Sequence, residues 1–205
     1  MNKLFLFRLL LPFAAGAQIQ PAKIFSDHMV LQRDQPVHIW GKASPGKQII
    51  VSFSGLSTSA IVNADSSWSV YFSKQKANTH PQSIRMECDD ETLEFKNILI
   101  GDVWLCSGQS NMEWPMEREM HWKEEKYHAD QPLIRFTNPP PAGRYVYGVP
   151  YPDSLNRRLT KDRFYLWDGW KNCDSQTVKS MSAVAYYFAK RIVSSENIPI
   201  GLINL

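Results

Sequence analysis

The sequence predicts a small antiparallel β-sandwich followed by the beginning of an α/β domain. Three observations predict it. Apolar residues alternate with polar ones from about residue 24 to 100. Near residue 97 the alternation gives way to a nearly continuous apolar run, NILIGDVWLCSG. The last stretch reads as helix, loop and strand. Alternation puts side chains on two faces of a half-buried strand, whereas an unbroken apolar run suits a strand covered on both faces.

The alternating sets are Val37 and Ile39; Ile49, Val51 and Phe53; Trp68, Val70 and Phe72; Ile84, Met86 and Cys88; and Leu93 with Phe95. Turn residues separate them at Ser44-Pro45-Gly46, Asn63-Ala64-Asp65-Ser66 and Asp89-Asp90-Glu91. Short strands at this spacing form a sandwich, in which a second sheet covers the apolar face. The stretch 117–172 is polar, aromatic and rich in Pro and Gly, and NPPPAGRYVYGVPYP within it is loop. A short helix is expected around Glu119–His128. The clearest helix is MSAVAYYFAKRIVSS, 181–195. Ala185, Phe188, Ala189 and Ile192 form its core-facing stripe, Ser180 or Ser182 caps it, and Lys190 and Arg191 lie near its C-terminal end. NIPIGLINL then supplies a loop and a strand, completing one strand–helix–strand unit.

Composition narrows the function classes. With 43% hydrophobic and 12% aromatic residues among 205, the chain sustains a packed core. Its 23 basic and 20 acidic residues are scattered, with no Lys/Arg block to meet a nucleic acid. Residues 1–17 carry a secretory-signal pattern: Lys3, the apolar LFLFRLLLPFAAGA, and Ala15-Gly16-Ala17 as a cleavage site. The run is too short to span a bilayer and contains Arg8. The mature chain is therefore expected outside the cytoplasm, secreted or periplasmic, with no membrane span. Cys88, Cys106 and Cys173 permit at most one disulfide and have no metal-binding spacing. Cys106, in an apolar strand, reads as a small buried hydrophobe. Nothing in the sequence sets an oligomeric state.

The apolar run ends at Ser107-Gly108-Gln109-Ser110-Asn111. A serine at a strand-to-helix junction projects its hydroxyl beyond the sheet, where turn amides can face a developing oxyanion. Small residues must precede it, and Ser107 and Gly108 do, Gly108 being free to take a positive φ. Ser110-Asn111-Met112-Glu113 also fits a capping box, in which Ser110 would only start a helix. Pro115 argues against a long helix there. From spacing alone both readings stand. Other clusters carry less chemistry. His121 and His128 lie seven apart among Glu117, Glu119, Glu124 and Glu125, which is more often a solvated helix face than a metal site. Tyr165, Trp167 and Trp170 either stack on sugar rings or pack a loop on the core. Asp27, His28 and His38 read as structural.

The segments IFSDHMVLQRDQPVHIWGKASPG and GDVWLCSGQSNMEWPM, in that order, resemble the sialate O-acetylesterase family, secreted serine esterases of the SGNH hydrolase type. The likeness continues through DSQTVKSMSAVAYYFAKRI and NIPIGLINL. It implies a β-sandwich over residues 18–96 and, over 97–205, the N-terminal part of a three-layer α/β/α SGNH hydrolase domain, incomplete. It implies Ser110 as nucleophile, with Gly108, Gln109 and Asn111 supporting its turn. The implied substrate is an acetylated sialic acid or related glycan, and the implied route is two-step acyl transfer needing no metal or organic cofactor. The family's triad His and Asp, and the Gly and Asn of its oxyanion hole, match nothing in this chain. The expectation is a chain inactive by itself. Acetylxylan esterases, which also carry Gly-Gln-Ser-Asn-Met, are a neighbouring reading. A glycan-binding module with Ser110 idle is a reading of another class.

Overall fold

The computed structural model describes residues 19–141, 150–160 and 163–205. The expected signal at 1–17 lies outside them, as does most of the proline-rich loop. In chain order the elements begin with β1 (Gln20–Pro21), β2 (Val30–Gln32), β3 (Val37–Lys42), β4 (Gln48–Phe53), β5 (Leu56–Ile61) and β6 (Ser67–Phe72). Next come β7 (Asn78–Cys88), β8 (Glu91–Cys106), α1 (Trp122–Glu125), β9 (Gln131–Thr137) and α2 (Asp153–Asn156). β10 (Lys171–Cys173), α3 (Ala183–Glu196) and β11 (Ile200–Asn204) complete the described chain.

The strands fall into two sheets. One is antiparallel, in the order β1-β3-β6. The other is mixed, in the order β10-β9-β11-β8-β7-β4-β5, with β2 pairing β8. Four of the five predicted alternating sets are buried on their inner positions, and Leu93 and Phe95 of the fifth are half-buried against the same core. Val37, Ile39, Trp68, Val70 and Phe72 from the small sheet meet Ile49, Val51, Phe53, Ile84 and Met86 from the large one in a single core. Burying each such side chain contributes roughly 1.5–3 kcal/mol. A second core gathers Ile134, Phe136, Ile200 and Leu202 of the parallel strands under Ala185, Tyr186 and Ala189 of α3.

β8 belongs to both cores. Its first half pairs antiparallel with β7, and its last residues, Asp102–Cys106, pair parallel with β11. The change of pattern expected near residue 97 falls inside this strand. Ile84 faces Phe95 but Gln82 faces Ile98, so β8 carries an extra residue there. Asn97 takes φ 56°, a left-handed conformation that Asn tolerates, as expected at a bulge. Asp27 Oδ1 accepts from Lys96 N–H at 2.7 Å, His28 N–H donates to Lys96 O at 3.0 Å, and the Asn97 amide lies 2.8 Å from His28 Nδ1. Asp27 and His28 thus serve the bulge.

Several expectations change. The stretch 117–172 holds the short helix expected around Glu119–His128, as α1, and also β9, α2 and the start of β10, which were not expected. β9 pairs with β11 and β10 although it holds Pro132 and a buried Arg135. β5, an edge strand of mostly exposed residues, has too little apolar pattern to be read in advance. α3 begins one residue after Ser182, whose hydroxyl accepts from Ala185 N–H. Its buried stripe is Ala183, Ala185, Tyr186 and Ala189, while Phe188 is 40% exposed against the edge of the Trp104 ring. The run expected to be covered on both faces is buried from Ile98 to Gly101 but leaves Trp104 and Leu105 45% and 64% exposed.

α3 is tied to the segment after β8 by two tyrosines. Tyr187 donates to Glu119 Oε2 at 3.0 Å, and Tyr186 donates to Glu125 Oε1 at 2.6 Å, where Lys190 also donates. Burial raises the Glu125 pKa, but the bonds from Lys190 and Tyr186 outweigh it and hold the carboxyl below its ordinary 4.5. A depressed folded-state pKa stabilises the fold fully above the ordinary value and loses that contribution as pH falls through the folded value. Glu125→Gln should therefore lower stability at neutral pH by roughly 1–3 kcal/mol, since a charged acceptor is lost. Urea denaturation across pH should show the gap between the two proteins closing below about pH 4; a pH-independent gap would contradict this account.

Candidate active site

Three parallel strands, β9, β11 and β8, end side by side. Cys106 registers with Asn204, and Ile203 with Thr137. The carboxyl ends of strands in an open α/β sheet are where such folds place ligands, because the loops leaving them converge there. Ser110 lies on the loop leaving β8, four residues past its end.

The loop is a turn, not a helix start. Met112 N–H and Glu113 N–H both donate to Gln109 O, at 2.8 and 3.3 Å. Glu113 N–H therefore does not reach the Ser110 hydroxyl, and no helix follows until a short 3-10 turn at Met116–Arg118. The capping-box reading fails. Ser110 is exposed, its Oγ makes no hydrogen bond among the described residues, and the amides of Ser110 and Asn111 meet no carbonyl there. An attacking serine needs its hydroxyl and the nearby turn amides unengaged by other groups. Gln109 and Asn111 are also exposed. Gly108 differs from expectation: positive φ among described glycines occurs at Gly46, Gly55 and Gly169 instead. Its smallness matters for space, since a Cβ there would stand 3.2 Å from Met112 Cβ.

What holds this loop was not legible in advance. The Ser182 hydroxyl lies 3.2 Å from Met112 Sδ. Pro115 bridges Ser182, Met116 N–H donates to Met181 O at 2.9 Å, and Ala183 N–H donates to Trp114 O at 2.9 Å. The start of α3 is thus stitched to the residues after Ser110. Beside it, Asn204 donates to Asn138 Oδ1 at 2.8 Å and Asn138 donates to Ser180 O at 3.0 Å, joining the ends of β11 and β9 to the same strap. The only sequence signal was an Asn at each strand end.

Among the described residues no histidine is hydrogen-bonded to the serine. His28 serves the bulge, His38 stacks between Trp40 and Tyr71, and His80 meets Asn78. His121 and His128 flank α1, whose four residues are too few to carry them on one face. Among the described residues no cluster of His, Cys, Asp or Glu has a metal-holding arrangement. Cys88, Cys106 and Cys173 are free and buried, and burial raises each thiol pKa, Cys173 to about 12, so none is a nucleophile. Trp170 is core, its Nε1–H donating to Ile24 O at 2.7 Å. Tyr165 and Trp167 instead line a pocket with Lys23, Arg158, Arg163 and Leu166.

Comparison with known proteins places the chain beside carbohydrate esterases. No protein-family model matches it. A solved carbohydrate acetylesterase from Xanthomonas citri superposes with a TM-score of 0.78 at 29% identity, over 91% of this chain and 40% of that one. More narrowly, the chain is similar to the sialate O-acetylesterases of Homo sapiens and Mus musculus. It is 25% identical to each, over 93% of its own length. It spans only 37% and 36% of those relatives. The resemblance to sialate O-acetylesterases carried by the two sequence motifs therefore extends along nearly the whole chain.

Removing the Ser182 hydroxyl deletes the α3 cap and the contact with Met112 together. Ser182→Ala should cost about 1 kcal/mol, the usual worth of a serine cap. Amide exchange at Met112 and Met116 should quicken with it; a variant with unchanged melting and exchange would show that the strap does not hold the loop.

Proposed function

We propose that this chain carries the nucleophile half of a carbohydrate O-acetylesterase, with Ser110 as the attacking residue. The observation that carries the reading is the free Ser110 hydroxyl beside unbonded amides at the carboxyl end of β8. In the first step Ser110 Oγ attacks the acetyl carbonyl carbon, a base takes its proton, and the sugar hydroxyl leaves with a proton as the acetyl-serine forms. Water then adds to that ester and releases acetate, and the serine recovers its proton. The amides of Ser110 and Asn111 and the turn formed by Gly108 and Gln109 steady the negative oxygen of each intermediate.

The finer fold goes with this reading. Residues 18–96 act as an antiparallel β-sandwich. Residues 97–205 act as the first part of an SGNH-type three-layer hydrolase domain. Support comes from β8: beyond Gly101 its edge away from β11 has no strand partner among the described residues, and Trp104 and Leu105 are exposed beside it. A further parallel strand fits that edge. On this reading the serine has no triad His and Asp among the described residues, and the 205 residues are inactive by themselves. The sialate O-acetylesterase relatives favour O-acetylated sialic acid as substrate; preferential release of acetate from acetylated xylan would point to the neighbouring class. The export reading rests on residues 1–17, and no helix among the described residues is long and apolar enough to cross a membrane.

The test is acetate release from O-acetylated sialic acid by the complete polypeptide that contains these residues. Ser110→Ala should lower the rate by about 10³-fold or more, the usual loss when a nucleophile is removed. An undiminished rate would overturn the assignment. The 205-residue chain should be silent in the same assay, and Ser110-dependent turnover by it would show that the base lies within it.

A further inference from the structure

The pocket lined by Lys23, Arg158, Arg163, Tyr165, Leu166 and Trp167 encloses about 440 Å³, within the range that small ligands occupy. Its chemistry is one-sided. Three of its six residues are cationic and none is acidic. Among the described residues, neither Arg158 nor Arg163 has a carboxylate within ion-pair distance. Arg158 Nη2 is closed off from solvent with no hydrogen-bond partner among them. A buried guanidinium nitrogen without an acceptor is costly, and an acceptor brought by a ligand removes that cost. Around the cations stand aromatic rings, Tyr165 edge-on to Trp167 with centroids 6.4 Å apart.

We infer that this pocket is a subsite for a carboxylate-bearing sugar. Guanidinium groups match a carboxylate through paired N–H donors, and indole and phenol rings stack on the apolar face of a pyranose. Neither half of the lining suffices alone: an anion without a ring wastes the aromatics, and a neutral sugar leaves Arg158 unpaired. Position fits the same role. Tyr165 bridges Pro141, and Leu166 N–H donates to Pro140 O at 3.0 Å, so the pocket wall is built on the chain leaving β9. Ser110 sits on the chain leaving β8, off the same end of the sheet. The subsite would hold the acidic part of a glycan whose acetyl group meets the serine. The choice of a sugar rests on the carbohydrate esterase reading.

The experiment is binding to the 205-residue chain, followed by saturation-transfer NMR and calorimetry. The probes are N-acetylneuraminic acid, glucuronic acid, neutral N-acetylmannosamine and inorganic phosphate. At least one acid sugar should bind at least about tenfold more tightly than the neutral sugar and phosphate, and which one does identifies the acid. Arg163→Gln, a change at an exposed side chain, should weaken it by about tenfold with melting unaltered, and Trp167→Ala should weaken it too. Absence of binding, equal binding of the neutral sugar or of phosphate, or folded variants that bind as before would each overturn the inference. Should Arg163→Gln misfold, the acid-against-neutral comparison on the unaltered chain decides. Ser110→Ala should bind normally, so acid-sugar binding by a chain whose serine proved idle would sink the esterase reading and leave this one standing.

Discussion

One strand carries the mechanical burden of this molecule. β8 runs sixteen residues without a break, from the antiparallel sheet into the parallel one. A linker would leave the two cores free to move against each other. A shared strand makes their relative placement a matter of backbone hydrogen bonds, adjusted locally by the bulge at Asn97 and by a second register shift between Asn78 and Gln82 of β7. Asp27 and His28 hold that bulge from outside. Close backbone approach fixes the parallel half: at Gly101 any Cβ would fall 1.9 Å from Pro199 O, in the turn that feeds β11. The serine therefore inherits its position from both cores at once.

At the tip the constraint passes from strand to strap. The loop bearing Ser110 has little packing of its own, and it is exposed. The first residues of α3 supply what it lacks, through backbone bonds on either side of Ser182 and its contact with Met112. α3 is fixed in turn by Tyr186 and Tyr187 on Glu125 and Glu119. The loop is thereby held at its far end while its turn stays open to solvent, a workable compromise for a residue that must be rigid and reachable.

Much of this was legible in the sequence for identifiable reasons. Alternation at Ile49-Val51-Phe53 and Ile84-Met86-Cys88 reports a one-sided strand directly, and those residues are buried. Small residues after VWLC announced a tight exit from a strand, and Ser182 announced a helix start. The losses also have causes. β5 is an edge whose residues face water, so it has no pattern to read. β9 is defined by its pairing with β11, some 66 residues later, and hides a buried arginine. Of the expected α3 stripe only Phe188 turns away from the core, because the exposed Trp104 gives that ring a partner outside it. The Met112–Ser182 and Asn138–Asn204 contacts join residues 70 and 66 apart, which no local period reveals.

Native-state hydrogen exchange along β8 tests the shared-strand account most directly. If one strand locks both cores, the amides of Leu93, Ile98 and Ile100 should open with the same free energy as those of Asp102 and Trp104, while Ser110 and Asn111 exchange freely. Opening of residues 102–106 well before residues 93–100 would mean that the cores part at Asn97 and that the serine takes its position from one of them alone.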